Sequence, residues 1–268
     1  MNTGGRGRVP QRRIAETVAD ELRDHILADD NYRLATQEQL VKDFGVSYPS
    51  IREALRILET EGLVTVRRGN VGGADVHRPD EVSAAYHLGL SLQAARVTLR
   101  DLASGLQMLE PLCASECAKR ADRNRVVVPA LTASIDASAR KIGDCVAFTH
   151  AAREFHDLVV SFTPNATIRY AVSSYVALWS AQEEAWAEAL TVRGEYPSEG
   201  EAEEAVRTHR RIVEEIAAGR SAEAERLARV HLAATQSLVL ERFGETVVNA
   251  SVAMSRQAIH SNRRSRLT

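Results

Sequence analysis

The stretch LATQEQLVKDFGVSYPSIREALRILETEGLV, residues 34–64, decides the fold of the N-terminal part of this chain. Thr36 followed three residues later by Gln39 has the pattern of a capping box and predicts a short helix that ends near Phe44. Gly45 comes next, and glycine suits a turn residue with positive φ. The stretch therefore begins as the first helix and the turn of a helix-turn-helix, a motif that reads duplex DNA.

The second half of the stretch predicts a capped helix followed by a small hairpin. Ser47 is a favoured N-cap residue, and Gly62 is placed to close the helix. Two short β-rich pieces, 63–66 and 74–76, flank a glycine-rich segment that suits a tight hairpin. Together with a preceding amphipathic helix, these elements predict a winged helix-turn-helix over residues 13–76.

Composition sets the broad class of the protein. A chain of 268 residues with 44% hydrophobic residues can bury two modest cores, so we expect two domains. The net charge of −2 argues against an architectural protein that coats DNA and requires a local basic surface instead. No apolar run approaches the ~20 residues that span a bilayer, so we expect a cytoplasmic protein without membrane contact. The three cysteines are expected to be buried.

The remainder of the chain is predicted to be helical, which makes the fold class mainly α. His77-Arg-Pro79 is the predicted linker, residues 80–243 a C-terminal all-α helical bundle, and residues 1–12 and 244–268 are predicted to be tails. The predicted helices of the bundle are 80–94, 99–121, 126–142, 145–162, 166–190, 200–218 and 222–243.

Hydroxyls, helix N-termini and arginines are the groups that hold phosphates and read guanine in the major groove. The candidate DNA-binding residues lie at the starts of the two helices, along the polar side of the second helix and at the wing. They are Thr36, Gln37, Glu38, Ser47, Tyr48, Ser50, Arg52, Arg56, Arg67, Arg68, Gly69 and Asn70.

At this point the sequence resembles a known family. Residues 14–76 are similar to the DNA-binding domain of the GntR family of bacterial transcription regulators, and VSYPSIREALRILETEGLV, residues 46–64, carries the most specific part of that resemblance. The helical remainder resembles the FadR branch, whose effector-binding bundle is called the FCD domain. Glu38 and Tyr48 stand where family members usually have arginines. The resemblance therefore implies the docking mode but not the operator preference.

Three histidines form the second candidate site. His209 and His231 each lie eleven residues from Arg220, at the turn between two helices. In an antiparallel pair both would lie at the same height, about 16 Å from the turn. His156 shares a helix face with Val159. Three imidazoles brought together in a bundle would suit one divalent ion such as zinc or nickel, whereas the alternative is a packed or effector-binding histidine cluster without metal.

The family resemblance bears on this choice. Metal-binding FCD domains have a similar pattern, with a histidine after phenylalanine, as at His156, and one in each of the last two helices. They usually also have an aspartate one turn before the first histidine, where this chain has Ala152. Glu154 and Asp157 are expected to point off the face, so no neighbouring acid is an obvious substitute, and metal affinity should be weaker.

The combined hypothesis is a ligand-responsive transcription regulator, a repressor that binds a palindromic operator as a homodimer. The effector is expected to be a small carboxylate, with an effector pocket lined by Leu106, Leu109, Ala152 and Val159. One alternative is a metal-free pocket for a fatty acid or acyl thioester. A remote alternative is a metal-dependent hydrolase with an accessory DNA-binding domain, although no acid or base is placed near the histidines by spacing.

Overall fold

A computed structural model describes residues 11–66, 74–191 and 198–251. The chain divides after Asp80 into two compact units, which are described separately. Among the residues described, no helix is both long enough and apolar enough to cross a membrane. The mainly α fold class predicted from the sequence is confirmed, with its small two-stranded sheet in the first unit.

The first unit is a winged helix-turn-helix built around a small apolar core. Its elements are α1 (Gln11–Ala28), α2 (Gln37–Phe44), α3 (Tyr48–Thr60), β1 (Val64–Val66) and β2 (Ala74–Val76). The two strands pair antiparallel, with Val64 opposite Val76. Leu22 and Ile26 of α1 meet Ile51 and Leu58 of α3, and all four are almost fully buried. The predicted wing residues Arg67, Arg68, Gly69 and Asn70 lie outside the described residues.

The start of α2 differs from the predicted capping box. The Thr36 hydroxyl accepts the backbone N–H of Gln39 at 3.3 Å, as an N-cap should. The side chain of Gln39, however, donates to Asp43 at 2.6 Å instead of reaching back to the cap. Only half of the box forms, because a glutamine at this position can pair one turn ahead as well as one turn behind. Gly45 ends the helix at φ 64°, as the turn requires.

The end of α3 is closed by a Schellman motif, in which two backbone N–H groups turn back onto the last helical carbonyls. Leu63 donates to Leu58 at 2.9 Å and Gly62 donates to Glu59 at 3.1 Å, with Gly62 at φ 75°. An ion pair between helices fixes the same corner: Arg23 of α1 donates twice to Glu61, at 2.6 and 2.8 Å. This closure aims the chain into β1.

The second unit is a bundle of helices around one continuous apolar core. Its helices are α4 (Glu81–Ala94), α5 (Leu99–Lys119), α6 (Val127–Ala139), α7 (Cys145–Ser161), α8 (Ala166–Thr191), α9 (Glu199–Ala218) and α10 (Ser221–Phe243). The predicted helices match these except that α5 and α6 end earlier than expected. Pro111 lies inside α5, which continues through it.

The segment after α10 is part of the bundle and not a tail, which corrects the predicted start of the tail at residue 244. We call residues 244–251 the C-terminal return. Leu99 donates to the carbonyl of Thr246 at 2.9 Å, and Val248 donates to Val97 at 3.0 Å. Ala250 and Val248 are fully buried. This docking was not predictable from the sequence, because the segment is too short to show a helical period.

The end of α4 uses the Schellman motif again, but without glycine. Val97 donates to Leu92 at 2.9 Å and Arg96 donates to Gln93 at 3.0 Å. Arg96 has φ 56°, and it is the only non-glycine residue with positive φ in the part of the chain that the structure describes. A side chain in this left-handed region costs about 1–2 kcal/mol, so the end of α4 is strained where the end of α3 is not.

Candidate functional site

The start of α2 presents three of the candidate DNA-binding residues. Thr36 and Glu38 are exposed, while Gln37 is half-buried. The Glu38 carboxylate accepts from the ammonium of Lys42 at 2.8 Å, which lowers the pKa of Glu38. The carboxylate that replaces the family's usual arginine is therefore paired along its own helix surface. Both charges remain solvated, so the pair is weak and can open toward a phosphate or a base.

The polar side of α3 carries the exposed arginines. Arg52 is exposed, and within the described ranges no hydrogen bond or ion pair engages its guanidinium. Arg56 is also exposed but makes a two-point ion pair with Glu53, at 2.6 and 2.9 Å. Tyr48 is 46% exposed at the start of the helix. The two arginines that look equivalent in the sequence thus differ in how freely they can meet DNA.

Ser50 does not belong to the exposed surface, which corrects its assignment as a candidate DNA contact. Its side chain is buried, and its hydroxyl lies 3.0 Å from the hydroxyl of Ser47. Ser47 also accepts the backbone N–H of Ser50 at 3.4 Å. Ser50 therefore helps to fix the helix start, while the exposed Ser47 remains available to a phosphate.

The second unit brings together the three histidines that the sequence singled out. His156 is on α7, His209 on α9 and His231 on α10, and one ring nitrogen of each lies within 4.8 Å of the other two. The Nε2 atoms of His209 and His231 are 2.8 Å apart. The helical hairpin of α9 and α10, which turns at Gly219, places these two histidines at one height as expected. We call these three residues the histidine cluster.

Ring stacking holds the imidazoles in place. The ring of Phe155 stacks on that of His209 with centroids 3.9 Å apart. His156 stacks on His231 at 5.4 Å with an interplanar angle of 9°. These contacts fix which edge of each ring faces the cluster, so the nitrogens converge without large side-chain movement.

The protonation states suit metal binding at two of the three positions. Burial lowers the pKa of His209 well below its ordinary value, and the nearby imidazoles lower it further. Burial also lowers the pKa of His231, to about 3. Both rings are therefore neutral near pH 7. Because their Nε2 atoms share one hydrogen bond, one of these two nitrogens carries a proton, which must move to the Nδ1 of its ring before an ion can bind both.

A carboxylate that the sequence did not reveal completes the site. Glu110 on α5 is buried, and its Oε1 lies 2.6 Å from the Nδ1 of His156. Burial alone would lower the pKa of His156, but the charge and hydrogen bond of Glu110 raise it above its ordinary value. Glu110 does not replace the aspartate missing at Ala152 as a fourth ligand, since it binds the Nδ1 of His156 and is not among the three converging residues, but it adds a negative charge beside the site. The available signal was an acidic residue on the apolar stripe of α5, one turn after Leu106.

The donor set fits a divalent ion. Three imidazoles whose nitrogens converge are borderline ligands of the kind that zinc and nickel prefer. At zinc–nitrogen distances of about 2.0–2.1 Å, two ligand nitrogens lie roughly 3 Å apart, close to the separation of the His209 and His231 Nε2 atoms. The buried Nδ1 of His209 has no hydrogen-bond partner. That orphaned atom is the one weakness of the set, since metal-binding histidines usually anchor their second nitrogen.

A cavity of about 370 Å³ lies beside the histidine cluster and is lined by all three of its residues. We call it the histidine cavity. Leu106 and Ala152, two of the residues predicted to line an effector pocket, line this cavity. Leu109 and Val159 do not: Leu109 packs against the core, and Val159 faces a separate space of about 10 Å³ behind His156. Leu109 lies three residues after Leu106, and Val159 lies seven residues after Ala152. The hydrophobic pattern alone does not show which of these apolar residues line a cavity and which pack elsewhere.

Most of the polar lining was not foreseen. Arg153 of α7 is buried and donates to Glu183 at 3.0 Å and to Glu184 at 2.8 Å. Gln236 of α10 is buried and accepts from the amide of Gln107 at 2.8 Å. Both Arg153 and Gln236 line the histidine cavity. They could not be assigned from sequence because α5, α7, α8 and α10 meet only in the folded bundle.

Comparison with known sequences identifies both units. The family described as "Bacterial regulatory proteins, gntR family" matches residues 14–71. The family described as "FCD domain" matches residues 101–234, half of the chain.

One solved structure shows the same fold. A structure titled "Streptococcus agalactiae GntR" is 19% identical and superposes with a TM-score of 0.62, covering 83% of this chain and 99% of that chain. A GntR family member from Pseudomonas syringae is 19% identical and covers 88% of this chain and 89% of that one. Escherichia coli McbR/YncC is 10% identical, with coverages of 85% and 98%. The last two have TM-scores of 0.34 and 0.38, too low to support an inference.

The family assignment also decides between the classes of protein that the sequence left open. GntR proteins are transcription regulators and not enzymes, so a hydrolytic role for the histidine cluster has no support. The gntR match covers the winged helix-turn-helix unit, and the FCD match covers most of the helical bundle, which is the ligand-binding part. The chain belongs to the GntR family of bacterial regulators and is a DNA-binding transcription regulator with a C-terminal FCD domain.

Proposed function

We propose that this protein is an effector-responsive repressor of the FadR branch that releases its operator when a small carboxylate binds in the histidine cavity. The observation that carries the proposal is the convergence of three imidazole nitrogens, within 4.8 Å, at the wall of a 370 Å³ cavity. A cavity of this size is adequate for a small metabolite. A divalent ion on the cluster would provide the positive charge that a carboxylate needs.

The residues proposed to hold the ion are His156, His209 and His231. When bound, the ion supplies a cationic anchor for carboxylate oxygens. Glu110 accepts the Nδ1 proton of His156 and so directs the Nε2 of that ring toward the ion. A carboxylate that orients a metal-binding histidine typically raises metal affinity 10- to 100-fold. Glu110 would thus offset part of the loss of an acid at Ala152.

The DNA-binding surface favours a palindromic operator and a homodimer. A single recognition helix reads few base pairs, whereas two copies related by a twofold axis read two half-sites about one helical turn apart. Arg52 supports docking of α3 in the major groove, because its guanidinium is exposed and unpaired within the described residues. Thr36, Ser47 and Tyr48 are the helix-start groups proposed to hold phosphates.

Regulation follows from differential binding. A ligand in the FCD domain can oppose DNA binding only if it binds more tightly to the conformation that DNA disfavours. The predicted linker at residues 77–79 is the connection through which such a bias would reach the first unit. A coupling of 1–3 kcal/mol, typical of allosteric proteins, would change operator affinity about 5- to 150-fold.

A second candidate function is the same regulator with a metal-free pocket for a fatty acid or acyl thioester. Four apolar side chains line the cavity and favour this hypothesis, because they could contact an acyl chain: Leu106, Phe148, Val176 and Trp179. The two candidates make different demands on the histidine cluster. A fatty acid needs no ion there, whereas the small carboxylate does.

The test combines three measurements on the full chain. Operator fragments selected from random duplex DNA should be palindromic, and the complex should contain two copies of the protein. Native mass spectrometry of protein incubated with zinc or nickel should show one ion per chain. A panel of short-chain carboxylates should weaken operator binding in a metal-dependent manner. Release by long-chain acids from metal-free protein would favour the second candidate, and release by no acid would contradict both.

A further inference from the structure

The DNA-binding unit carries an ion pair beside the start of its second motif helix. In a helix-turn-helix, the residues at the start of the second helix meet base edges in the major groove. Tyr48 is the first residue of α3. Lys42 of α2 lies near Tyr48, because the pKa of Lys42 is raised mainly by the hydrogen bond and charge of Glu38 and to a lesser extent by Tyr48. Glu38 and Lys42, which we call the α2 ion pair, therefore lie next to the base-contacting end of α3.

The α2 ion pair is accessible and only partly satisfied. The Nζ of Lys42 donates to the Oε1 of Glu38 at 2.8 Å. The side chain of Lys42 is 64% exposed and that of Glu38 is 66% exposed. Within the described residues, the Oε2 of Glu38 has no hydrogen-bond partner, and the ammonium keeps further N–H groups that can donate. A group that approaches from solvent can therefore bind both members of the pair without breaking it.

DNA offers few partners to a carboxylate. Phosphates are anionic and only accept hydrogen bonds, so they repel Glu38. In the major groove the hydrogen-bond donors are the N4 amine of cytosine and the N6 amine of adenine, whereas the other polar atoms of the base edges are acceptors. A carboxylate beside the groove therefore either binds an amine or loses hydration without a replacement.

The edge of a C·G base pair complements the α2 ion pair atom for atom. This edge presents the N4 amine of cytosine and, beside it, the O6 of guanine, which are joined by an N–H···O bond of about 2.9 Å. The ion pair presents an acceptor and a donor 2.8 Å apart. When the two edges meet, Glu38 accepts from cytosine N4 while Lys42 donates to guanine O6, and the ion pair stays closed.

The atoms on either side distinguish C·G from the other base pairs. Adenine N6 also donates and thymine O4 also accepts, but the N7 acceptor of adenine would repel Glu38, and the methyl group of thymine gives Lys42 no second acceptor. In the C·G pair, a C–H group of cytosine takes the first place and guanine N7 takes the second. The inverted G·C pair sets the carboxylate against acceptors and the ammonium against an amine. The flanking atoms therefore favour C·G over all three alternatives.

We propose that the α2 ion pair reads one C·G base pair in each operator half-site, with the cytosine on the side of Glu38. The inference rests on docking of α3 in the major groove, which belongs to the proposed function, and adds a base identity to it. A closed ion pair carries no net charge and adds no net attraction for phosphates. Its contribution is to sequence discrimination, which base contacts supply and phosphate contacts do not.

The experiment uses the half-site that the full-length protein selects from random duplex DNA. Each base pair of this half-site is replaced in turn by the other three, and the affinity for each operator is measured by fluorescence anisotropy at one salt concentration. At one C·G position, inversion to G·C should weaken binding of the unmodified protein about 5- to 150-fold, as expected for one well-matched two-point base contact.

Substitutions of exposed residues assign that position to the α2 ion pair. Glu38→Ala and Lys42→Met should each reduce the C·G preference at least about fivefold and leave the preferences at the other positions unchanged. Glu38→Arg should move the preference to G·C, because arginine binds guanine O6 and N7. Asp43→Asn is the matched control, since it also removes an exposed acid from α2, but one that pairs with Gln39 and not with Lys42 among the described residues. This control should keep the C·G preference.

The outcomes separate this proposal from the proposed function. A selected half-site without such a C·G position, a preference that survives either Glu38→Ala or Lys42→Met, or an equal loss in Asp43→Asn would overturn the role of the α2 ion pair and leave the operator-binding regulator intact. If random DNA yields no enriched half-site, docking of α3 in the major groove is wrong and both proposals fail.

Discussion

The two functional regions of this protein are encoded in opposite ways. The helix-turn-helix is formed by one continuous stretch of sequence. Its helices begin and end at local signals, the N-caps at Thr36 and Ser47 and the positive-φ glycines Gly45 and Gly62. The histidine cavity takes its walls from five helices of the bundle, and no short segment contains more than one of its histidines. Caps and turns in the sequence are therefore enough to predict the DNA-binding motif. The ligand cavity cannot be predicted in this way, because it depends on packing between segments that are distant in the sequence.

The largest expected effect tests whether the distant histidines act as a unit. His209→Ala and His231→Ala should each reduce zinc or nickel affinity by more than about 100-fold, because loss of a ligand should cost more than the 10- to 100-fold typical of an outer-sphere partner. Metal content and affinity would be measured by competition with a chelator. His150→Ala is the matched control, since His150 is an exposed histidine on α7 outside the cluster. Equal metal content in all three variants would show that the histidine cluster does not bind a metal ion and only packs in the core.

A smaller change tests the contact that the sequence missed. Glu110→Gln keeps the size of the side chain but removes the charge that holds His156, and metal affinity should fall about 10- to 100-fold. Ala152→Asp, which restores the family's usual acid, should recover part of the loss when added to Glu110→Gln. Circular dichroism would check that the bundle remains folded. An unchanged metal affinity in Glu110→Gln would show that the carboxylate does not orient the ligand.

In the DNA-binding unit, the sharpest test compares the contributions of two arginines on α3, one turn apart, to operator binding. Arg52→Ala should weaken operator binding by about 1–3 kcal/mol. Arg56→Ala should weaken operator binding less than Arg52→Ala does, because Arg56 must first leave its exposed ion pair with Glu53 before it can contact DNA. Fluorescence anisotropy on a selected operator would measure both. If Arg56→Ala proves the more damaging change, the ion pair with Glu53 does not compete with DNA.

The difference between local signals and long-range packing explains how much of each region could be predicted from the sequence. The helix order and the positive-φ glycines were readable because they depend on residues within one turn. Ser50 was misassigned because periodicity does not show that its hydroxyl turns back to Ser47. The sequence analysis did not identify three polar residues of the site, because their hydrogen-bond partners lie on other helices: Glu110, Arg153 and Gln236. A buried charge can be recognised only once its counter-charge has been placed. The heights of His209 and His231 were predictable because a short turn fixes the register of a helical hairpin.

The smallest expected effects compare two helix ends closed by the same motif, one in each unit. Gly62→Ala places a side chain at φ 75° with no atom within 4 Å of the new Cβ, so the cost is purely conformational, about 1–2 kcal/mol. Arg96→Gly should instead stabilise the protein by about 0.5–1 kcal/mol, since relief of the left-handed strain exceeds the added chain entropy. Urea denaturation of both variants would test the opposite signs. A destabilised Arg96→Gly would indicate that the arginine side chain makes a favourable contribution.

The C-terminal return has a practical consequence for where this protein can be cut. Cleavage after Phe243 would uncover the buried Val248 and Ala250 contacts and would remove the partner of Gln182 at Asn249. The helical domain should then melt at a lower temperature, even though every helix is intact. The domain thus continues past the last turn of α10, through hydrogen bonds to α4, α5 and α8.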